Sequence, residues 1–383
     1  MEYGTLIATL KELAPLELAE SWDNVGVLLQ PTNVTNKTAI AAVFMTIDLT
    51  EEVLEEAIAF KQESSPQQPL LLVAYHPPLF TSFKRLTSSD PKQRIAIRCI
   101  EHSIAIYSPH SALDGVEGGI NDWLAEGLGE AKEVRPITPA MTLPTSNQTH
   151  KVALTFSSNS SSSAEEEATS NTLKEELGLE AVDHLPSSEP GQRRLEFFVN
   201  KSTLSKLSDV LDRLFKGKEL PRWEVYALSE VPKPSTGTGR LVTLKEAVPL
   251  PTMIERIKKH LNLPFLRVGA SRKHAPKKEG AGESSSGGDH IRTIAICAGS
   301  GASVVRGARA DLVLTGEMSH HEVLAAMAKG TSVVLSEHSN SERGYLPVFK
   351  KRLEEKVKMA CSPTDHPIKI HVSSVDCDPL VVL

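Results

Sequence analysis

The sequence is poor in cysteine, and its few cysteines are scattered. The 383 residues include four of them, Cys99, Cys297, Cys361 and Cys377, and no two form a C-x-x-C pair. Zinc sites built from thiolates usually need such pairs, so a metal bound by this chain would use imidazole and carboxylate ligands. The pattern also fits a reducing compartment better than an oxidising one.

An excess of basic residues and long apolar runs are also missing. The 42 lysines and arginines stand against 48 acidic residues, so composition does not favour binding to nucleic acid or to an anionic membrane. No apolar stretch approaches the ~18 residues that a transmembrane helix requires. Residues 1–20 carry four glutamates instead of a presequence pattern. We expect a cytoplasmic protein, with the nucleus and the mitochondrion as alternatives.

Short apolar segments alternate with segments of helical period near both ends of the chain. This alternation is typical of an α/β layered fold. The expected strands are residues 41–47, 70–75, 104–107, 293–297, 312–315 and 332–335. The expected helices are about residues 50–60, 91–102, 120–127 and 320–329, with another after Ser341.

The middle of the chain has a different composition. Tracts rich in serine, or in lysine, glycine and serine, bury too little apolar area to offset the entropy of ordering. Strands are still expected at residues 151–156, 195–199 and 224–228, and a helix at 204–215. The predicted organisation is a discontinuous α/β domain (1–135 plus 290–383), an inserted α+β domain (150–270) and flexible loops (157–172 and 271–290).

The first candidate ligand is His76, which follows the apolar strand predicted at residues 70–75. Two prolines, Pro77 and Pro78, stop that strand and hold the histidine in an extended conformation. Ligands of open α/β sheets bind at the carboxyl ends of the strands. The position of His76 is therefore one where a ligand is expected.

Two further strand ends each carry a histidine and an acidic residue four positions later. The strand that ends at Tyr107 leads into His110 and Asp114. The last predicted strand leads into His338 and Glu342. Four residues are about one helical turn, so both members of each pair can face the same point.

Together these strand ends predict one shared metal site. The predicted metal ligands are His76, Asp114, His338 and Glu342. The predicted catalytic residues are Glu342, His110 and His321, with supporting roles for Tyr75, Glu317 and His320. Imidazole and carboxylate suit zinc, and also manganese, iron or cobalt, and such an ion lowers the pKa of bound water from ~15.7 to ~7.

Structural alternatives remain open for each residue taken alone. A histidine after a strand is often a hydrogen-bonded turn residue. Ser339 and Glu342 match the capping box S-x-x-E, in which the glutamate serves the start of a helix. The adjacent His320 and His321 can lie on a solvated helix face.

The motifs together resemble the Nif-three-like family, described as GTP cyclohydrolase I type-2 homologues, and its eukaryotic branch in particular. The segments that carry the resemblance are Ser21–Gly26, Tyr75–Phe80, Ser108–Asp114, Gly119–Leu124, Gly237–Arg240, Thr315–His321 and Glu337–Gly344. They occur in order through both outer regions of the chain.

The resemblance implies a Nif-three-like layered α/β fold and a dinuclear metal site. It also implies a ring-shaped homo-oligomer, possible as a hexamer, with the metal site facing the central cavity of the ring. It assigns ligand roles to His76, Asp114, His338 and Glu342. Bacterial relatives have a His-His pair where this chain has Tyr75 and His76. The number of metal ions per subunit, one or two, is therefore open.

Two functions of different class follow. The first is a metal-dependent hydrolase acting on a nucleotide or related phosphorylated heterocycle through a metal-bound water. The second is a non-catalytic homo-oligomeric interaction protein, a partner of transcription co-regulators, that retains the fold and a metal site. A metal or metabolite sensor is a third option.

Overall fold

The computed structural model describes residues 1–143, 148–157, 163–186, 192–275, 290–360 and 368–382. The chain divides into two compact units, Met1–Ala140 with Pro234–Leu383, and Met141–Lys233. The inserted unit is thus shorter than the predicted residues 150–270. Residues 234–270 belong to the outer unit because strands that the sequence pattern did not reveal pair there with its second sheet.

Helices and strands alternate along much of the chain. The α-helices are α1 (Tyr3–Leu13), α2 (Glu51–Ser64), α3 (Pro91–Glu101), α4 (His110–Gly115), α5 (Ile120–Glu126), α6 (Ser163–Leu177), α7 (Lys201–Leu214), α8 (Leu250–Leu261), α9 (Ala302–Val305), α10 (His320–Ala328) and α11 (Leu346–Ala360). The strands are β1 (Gly26–Leu29), β2 (Ala42–Thr46), β3 (Leu70–Ala74), β4 (Ile104–Ser108), β5 (Ala131–Arg135), β6 (Thr138–Thr142), β7 (His150–Ser157), β8 (Asp183–Pro186), β9 (Gln192–Val199), β10 (Arg222–Ala227), β11 (Val231–Thr238), β12 (Arg240–Val248), β13 (Arg267–Gly269), β14 (Ile291–Cys297), β15 (Leu312–Thr315), β16 (Ser332–Leu335) and β17 (Lys369–Val372).

Two sheets of five and six strands form most of the outer unit within the described residues, and β6 and β11 pair separately as a two-stranded sheet. The first has the order β1-β4-β3-β2-β17, with β17, β2, β3 and β4 parallel and β1 antiparallel at the edge. The second has the order β13-β16-β15-β14-β12-β5, with β14, β15 and β16 parallel. The predicted α/β layered fold is confirmed, as is every strand and helix that the sequence pattern predicted, within a few residues.

The parallel strands β2, β3, β4, β15 and β16 are buried along their whole length, and most of their side chains are apolar because both faces of the sheet are covered. Val43 and Met45 of β2 face a core that also contains Ile294 and Ile296 of β14, so the two sheets share one core. The alternate residue Phe44 faces a second core under α2 and α3. Burial on two faces explains why these strands were predictable.

The inserted unit is an α+β structure with its own core. Its sheet has the order β10-β7-β9-β8 and is antiparallel throughout. Leu154 and Phe197 from the sheet pack with Leu173 of α6 and Leu207 of α7.

The loop prediction for residues 157–172 is wrong from Ser163 onward. Helix α6 begins there because the serine tract gives way to helix formers and because Leu173 and Leu177 provide an apolar stripe that the sheet buries. Residues 158–162, and residues 276–289 of the other predicted loop, lie outside the described residues.

No helix in the described ranges combines the length and apolar character needed to cross a membrane.

Candidate metal centre

A cavity of about 740 Å³ lies where the parallel strands of both sheets of the outer unit end. His76 follows β3, and His110 and Asp114 follow β4 on the first sheet. Glu317 follows β15 and His338 follows β16 on the second. The carboxyl ends of parallel strands therefore deliver polar side chains from two sheets to one space, which is where α/β proteins bind ligands.

Three of the predicted ligands converge there. One ligand atom from each of His76, His338 and Glu342 lies within 4.8 Å of the other two. His76 Nε2 is 3.3 Å from Glu342 Oε2, and His338 Nε2 is 3.6 Å from Glu342 Oε1. The cluster can hold a divalent metal ion, since two imidazoles and a carboxylate suit zinc and its neighbours.

Two polar atoms at the centre of this cluster lack hydrogen bonds within the described part of the chain. His76 Nε2 and Glu342 Oε2 are both buried, and neither has a hydrogen-bond partner among the described residues. Glu342 as a whole is 2% exposed. Leaving a buried carboxylate oxygen unpaired is costly, and a shared cation would satisfy both atoms.

Glu342 does not serve as a helix cap. Ser339, the proposed start of the capping box, donates its hydroxyl hydrogen to Asp378 Oδ2 at 2.8 Å. The segment forms two short 3-10 turns, and neither has a side-chain cap. The capping-box alternative is therefore wrong, and the side chain of Glu342 lines the cavity instead.

His76 is oriented by a carboxylate that the sequence prediction missed. Its Nδ1 lies 2.9 Å from Asp48 Oδ1, which leaves Nε2 for a metal ion. Burial lowers the pKa of His76, but the carboxylates of Asp48 and Glu342 outweigh burial and raise it to about 10. The surroundings of this imidazole thus favour positive charge, whether a proton or a cation supplies it.

Asp48 could have been found from the sequence. It stands two residues after the apolar strand β2, the same relation to a strand end that identified His76.

His338 is held from the other side. Its Nδ1 lies 3.2 Å from Glu317 Oε2, and Ser300 donates a hydrogen bond of 2.8 Å to the same oxygen. Gly299 makes room for the ligands, because a Cβ atom there would lie 2.7 Å from Glu342 Oε1 and 2.9 Å from His338 Nε2. Its φ of +58° also favours glycine.

Asp114 lies in the same cavity but outside the group of three. Its Oδ1 accepts a 2.6 Å hydrogen bond from the Tyr75 hydroxyl. Burial raises the pKa of Asp114 to about 6, against the lowering effect of that bond and with a contribution from Glu342. Burial also raises the pKa of Tyr75, which favours its hydroxyl over the phenolate.

His110 also has a fixed partner. Its Nδ1 lies 2.8 Å from Asp23 Oδ1, and Asp23 accepts a 3.1 Å hydrogen bond from the Ser111 amide as well. Asp23 lies in one of the family motifs, but the sequence alone assigned it no role. Because Asp23 holds Nδ1, Nε2 is the nitrogen left to exchange a proton in the cavity.

The structure does not bring His320 and His321 to the cavity, so their predicted supporting and catalytic roles are not supported. Both are exposed on the first turn of α10. A capping box between Ser319 and Glu322 begins this helix and turns the chain away from the strand end. Their exposed positions agree with the alternative that both histidines lie on a solvated helix face.

Two buried polar side chains fix the loops around the cavity. Asn121 accepts a 2.9 Å hydrogen bond from the Ala298 amide and donates one of 3.1 Å to the Asp114 carbonyl. Arg240, 1% exposed, pairs with Asp122 at 2.5 Å and donates to the Gly237 carbonyl at 2.7 Å. Arg240 therefore has a structural role, joining the segments that contain Asp122 and Gly237.

The fold and the cluster define an α/β protein with a candidate metal centre at the ends of its strands. The chain belongs to the Duf34/NIF3 (NGG1p interacting factor 3) family, whose model matches residues 1–379. The resemblance seen in the motifs is thereby confirmed.

Curated relatives place the chain in the eukaryotic branch. It is 40% identical over 378 residues to NIF3-like protein 1 of Rattus norvegicus, covering 97% of this chain and 93% of that protein. It is 37% identical over 387 residues to the Homo sapiens protein of the same name, covering 100% and 93%. It is 27% identical over 385 residues to NGG1-interacting factor 3 of Saccharomyces cerevisiae, covering 98% and 96%.

Solved structures share the fold. A Staphylococcus aureus protein matches with a TM-score of 0.73 and 22% identity, covering 100% of this chain and 99% of the other. Reduced HcgD from Methanocaldococcus jannaschii matches with a TM-score of 0.53 and 18% identity, covering 97% of each chain.

Proposed function

We propose that this protein is a metal-dependent hydrolase acting on a nucleotide or a related phosphorylated heterocycle. The observation that carries the proposal is the pair of buried atoms His76 Nε2 and Glu342 Oε2, 3.3 Å apart and without hydrogen-bond partners among the described residues. The cavity beside them, at about 740 Å³, is in the range of small-molecule sites.

His76, His338 and Glu342 would hold the ion, with zinc as the first choice and manganese, iron or cobalt as alternatives. A divalent ion in this position supplies Lewis acidity, which makes water acidic enough to yield hydroxide near neutral pH. The observed arrangement supports one ion per subunit. A second ion would use the Asp114 carboxylate, whose Oδ1 already accepts the hydrogen bond from the Tyr75 hydroxyl.

The chain's own residues suit the remaining steps. His110, whose Nδ1 is held by Asp23, can take or give a proton at Nε2 within the cavity. Asp114, with a pKa of about 6, can hold a proton at mildly acid pH and release it near neutrality. Glu317 fixes the ring of His338, and Asp48 fixes that of His76.

Elemental analysis of the purified protein tests the proposal. We expect about one equivalent of a divalent transition metal in the wild type and little in His338→Ala. The exposed His320→Ala variant is the matched control and should retain the metal. Turnover of a phosphorylated heterocycle should stop with chelator and return with metal; a protein that neither contains nor binds such an ion contradicts the proposal.

A second candidate function is protein interaction without catalysis. The Saccharomyces cerevisiae relative is named NGG1-interacting factor 3, and the Tyr75 hydroxyl engages an acid that the family resemblance assigns to a metal. A transcription co-regulator that binds His338→Ala as tightly as the wild type, with no turnover by either protein, would favour this function.

We also propose that the chain forms a homo-oligomer, with a hexameric ring as the expected form, and that it works in the cytoplasm. The family resemblance supports the first proposal. Its test is the solution mass of the purified protein, for which a monomer is the contradicting result.

A further inference from the structure

Two large aromatic side chains stand exposed at the cavity. Trp22 is 61% exposed and Phe80 43% exposed, and both line the space that contains the candidate metal ligands. Their ring centroids are 6.2 Å apart, with the planes inclined by 50°. Adjacent exposed aromatic rings at the mouth of a cavity are a common feature of ligand-binding grooves.

The segments that carry these rings are fixed to the protein. Asn24 donates a 2.5 Å side-chain hydrogen bond to the Leu79 carbonyl, which ties the Trp22 segment to the Phe80 segment. The Glu20 amide donates to the Ser111 hydroxyl at 3.0 Å. The buried Asp23 carboxylate holds Ser111 and His110. The backbone around Trp22 is therefore ordered before any ligand arrives, which reduces the entropy lost on binding.

The aromatic pair is continuous with the metal ligands. Trp22 meets His110 edge to face with centroids 6.0 Å apart, and His110 meets His76 in the same way at 5.4 Å. His76 in turn lies 5.1 Å from the ring of His338. A flat ligand stacked on Trp22 would thus have its substituents directed along a row of rings toward the candidate metal.

The charge of the cavity narrows the ligand further. Seven of the described lining residues are aspartate or glutamate, against one lysine, Lys92, and three histidines. An acidic wall disfavours a bare anion and favours N–H donors, which carboxylates accept. Glu20 lines the cavity two residues before Trp22, and its Oε1 accepts a 2.8 Å hydrogen bond from the Thr238 hydroxyl.

We propose that Trp22 and Phe80 form the binding subsite for a flat nitrogen heteroaromatic ring, with N–H groups of the ring directed to the Glu20 carboxylate. This inference deepens the proposed function and rests on it for one point, the direction of the reacting group. The ring of the substrate would lie at one end of the cavity and its reacting group at the candidate metal. Phosphate groups would bind only after a cation has offset the acidic wall.

The test uses guanosine as the probe, because its base is flat and has an N–H edge and because it carries no phosphate. Affinity is measured by calorimetry on the full chain, both treated with chelator and loaded with zinc. Base stacking on an aromatic side chain contributes enough that Trp22→Ala should weaken binding roughly 5- to 100-fold. Trp22→Phe should retain most of the affinity, and Trp223→Ala, an exposed tryptophan of the inserted unit, should retain all of it.

The outcomes separate the subsite from the metal. Zinc content and thermal unfolding of Trp22→Ala should match the wild type, since none of the three candidate ligands changes. Guanosine binding that is absent in the wild type, or equal in Trp22→Ala, overturns the subsite even when zinc binds. A lower oligomer mass for Trp22→Ala, with guanosine affinity unchanged, would show instead that the rings contact a second copy of the chain. Guanosine binding that needs Trp22 in a protein unable to bind any divalent metal would leave the subsite standing and remove the hydrolase.

Discussion

The two sheets contribute to the cavity in different ways. On the first sheet, the candidate groups have fixed partners, such as Asp48 for His76 and Asp23 for His110. On the second, Glu342 brings a buried oxygen that has no hydrogen-bond partner among the described residues. Both sheets thus orient an imidazole, since Glu317 holds His338 as Asp48 holds His76. The second sheet adds the buried Glu342 carboxylate, and a cation between the sheets would use both contributions. Substitutions on either side of the cavity test this difference between the sheets.

The largest effect is expected from Glu342→Gln, which removes the negative charge of the buried carboxylate. Zinc affinity should fall roughly 1,000-fold, because the roughly 10–16 kcal/mol of zinc binding is shared among few ligands. The metal-free variant should be less stable than the metal-free wild type, because Glu342 lies 3.3 Å from His76, whose pKa of about 10 favours its charged form, and removing one partner of a buried ion pair is destabilising. Competition with a chromophoric chelator measures the first effect and thermal unfolding the second.

Glu354→Gln, at an exposed position on α11, is the matched control and should change neither quantity. Zinc affinity preserved in Glu342→Gln would show that the second sheet does not supply the charge that binds the ion.

Asp114 should make the metal-free protein lose stability as the pH rises. Its pKa of about 6 in the folded state lies above the ordinary 3.8, so the folded protein holds this proton more tightly than the unfolded chain. The stabilisation is complete below pH 3.8 and is lost as the pH rises through 6, and it amounts to at most about 3 kcal/mol.

Denaturant unfolding between pH 4 and 7, with chelator present, measures this loss. Asp114→Asn should lack it, whereas the exposed Asp209→Asn should show it as the wild type does. An Asp114→Asn protein with the full wild-type slope would mean that another group on the first sheet or elsewhere is responsible.

The first sheet offers a matched pair of substitutions. Asp48→Asn should lower metal affinity about 10- to 100-fold, because Asp48 orients the candidate ligand His76 and increases its basicity. Asp23→Asn should leave metal affinity within about twofold, because its partner His110 is not one of the three converging ligands. Equal losses of metal affinity in the two variants would mean that the effect of Asp48 does not come from its contact with the ligand His76.

The sequence predicted the parts of the site that follow apolar strands. Buried parallel strands are continuous apolar runs, and the polar residue that ends such a run is visible without a structure, as with His76 and His338. Strand β12, between β14 and β5, and the edge strand β13 are partly exposed and lack that signal, so the sequence prediction missed both strands and made the inserted unit too long.

Partners distant in sequence were beyond prediction. Asp23 lies 87 positions from His110, and nothing local in the sequence pairs the two. The convergence of Glu342 with His76 depends on how two separate sheets share a core. The sequence predicted a supporting role for Tyr75 but not its partner, because only the packed structure shows that the Tyr75 hydroxyl donates to Asp114.

The smallest effect is expected from the double variant His320→Ala and His321→Ala. These two histidines follow a strand of the second sheet, as the candidate ligand His338 does, so a pattern based on strand ends alone would give all three the same importance. The capping box at Ser319 instead begins α10 immediately and leaves both side chains in solvent. Zinc affinity should stay within about twofold of the wild type and stability within about 0.5 kcal/mol, as for other exposed substitutions. A loss of zinc affinity comparable to that of His338→Ala would mean that α10 approaches the ion in solution. The second sheet would then contribute ligands from a helix that moves.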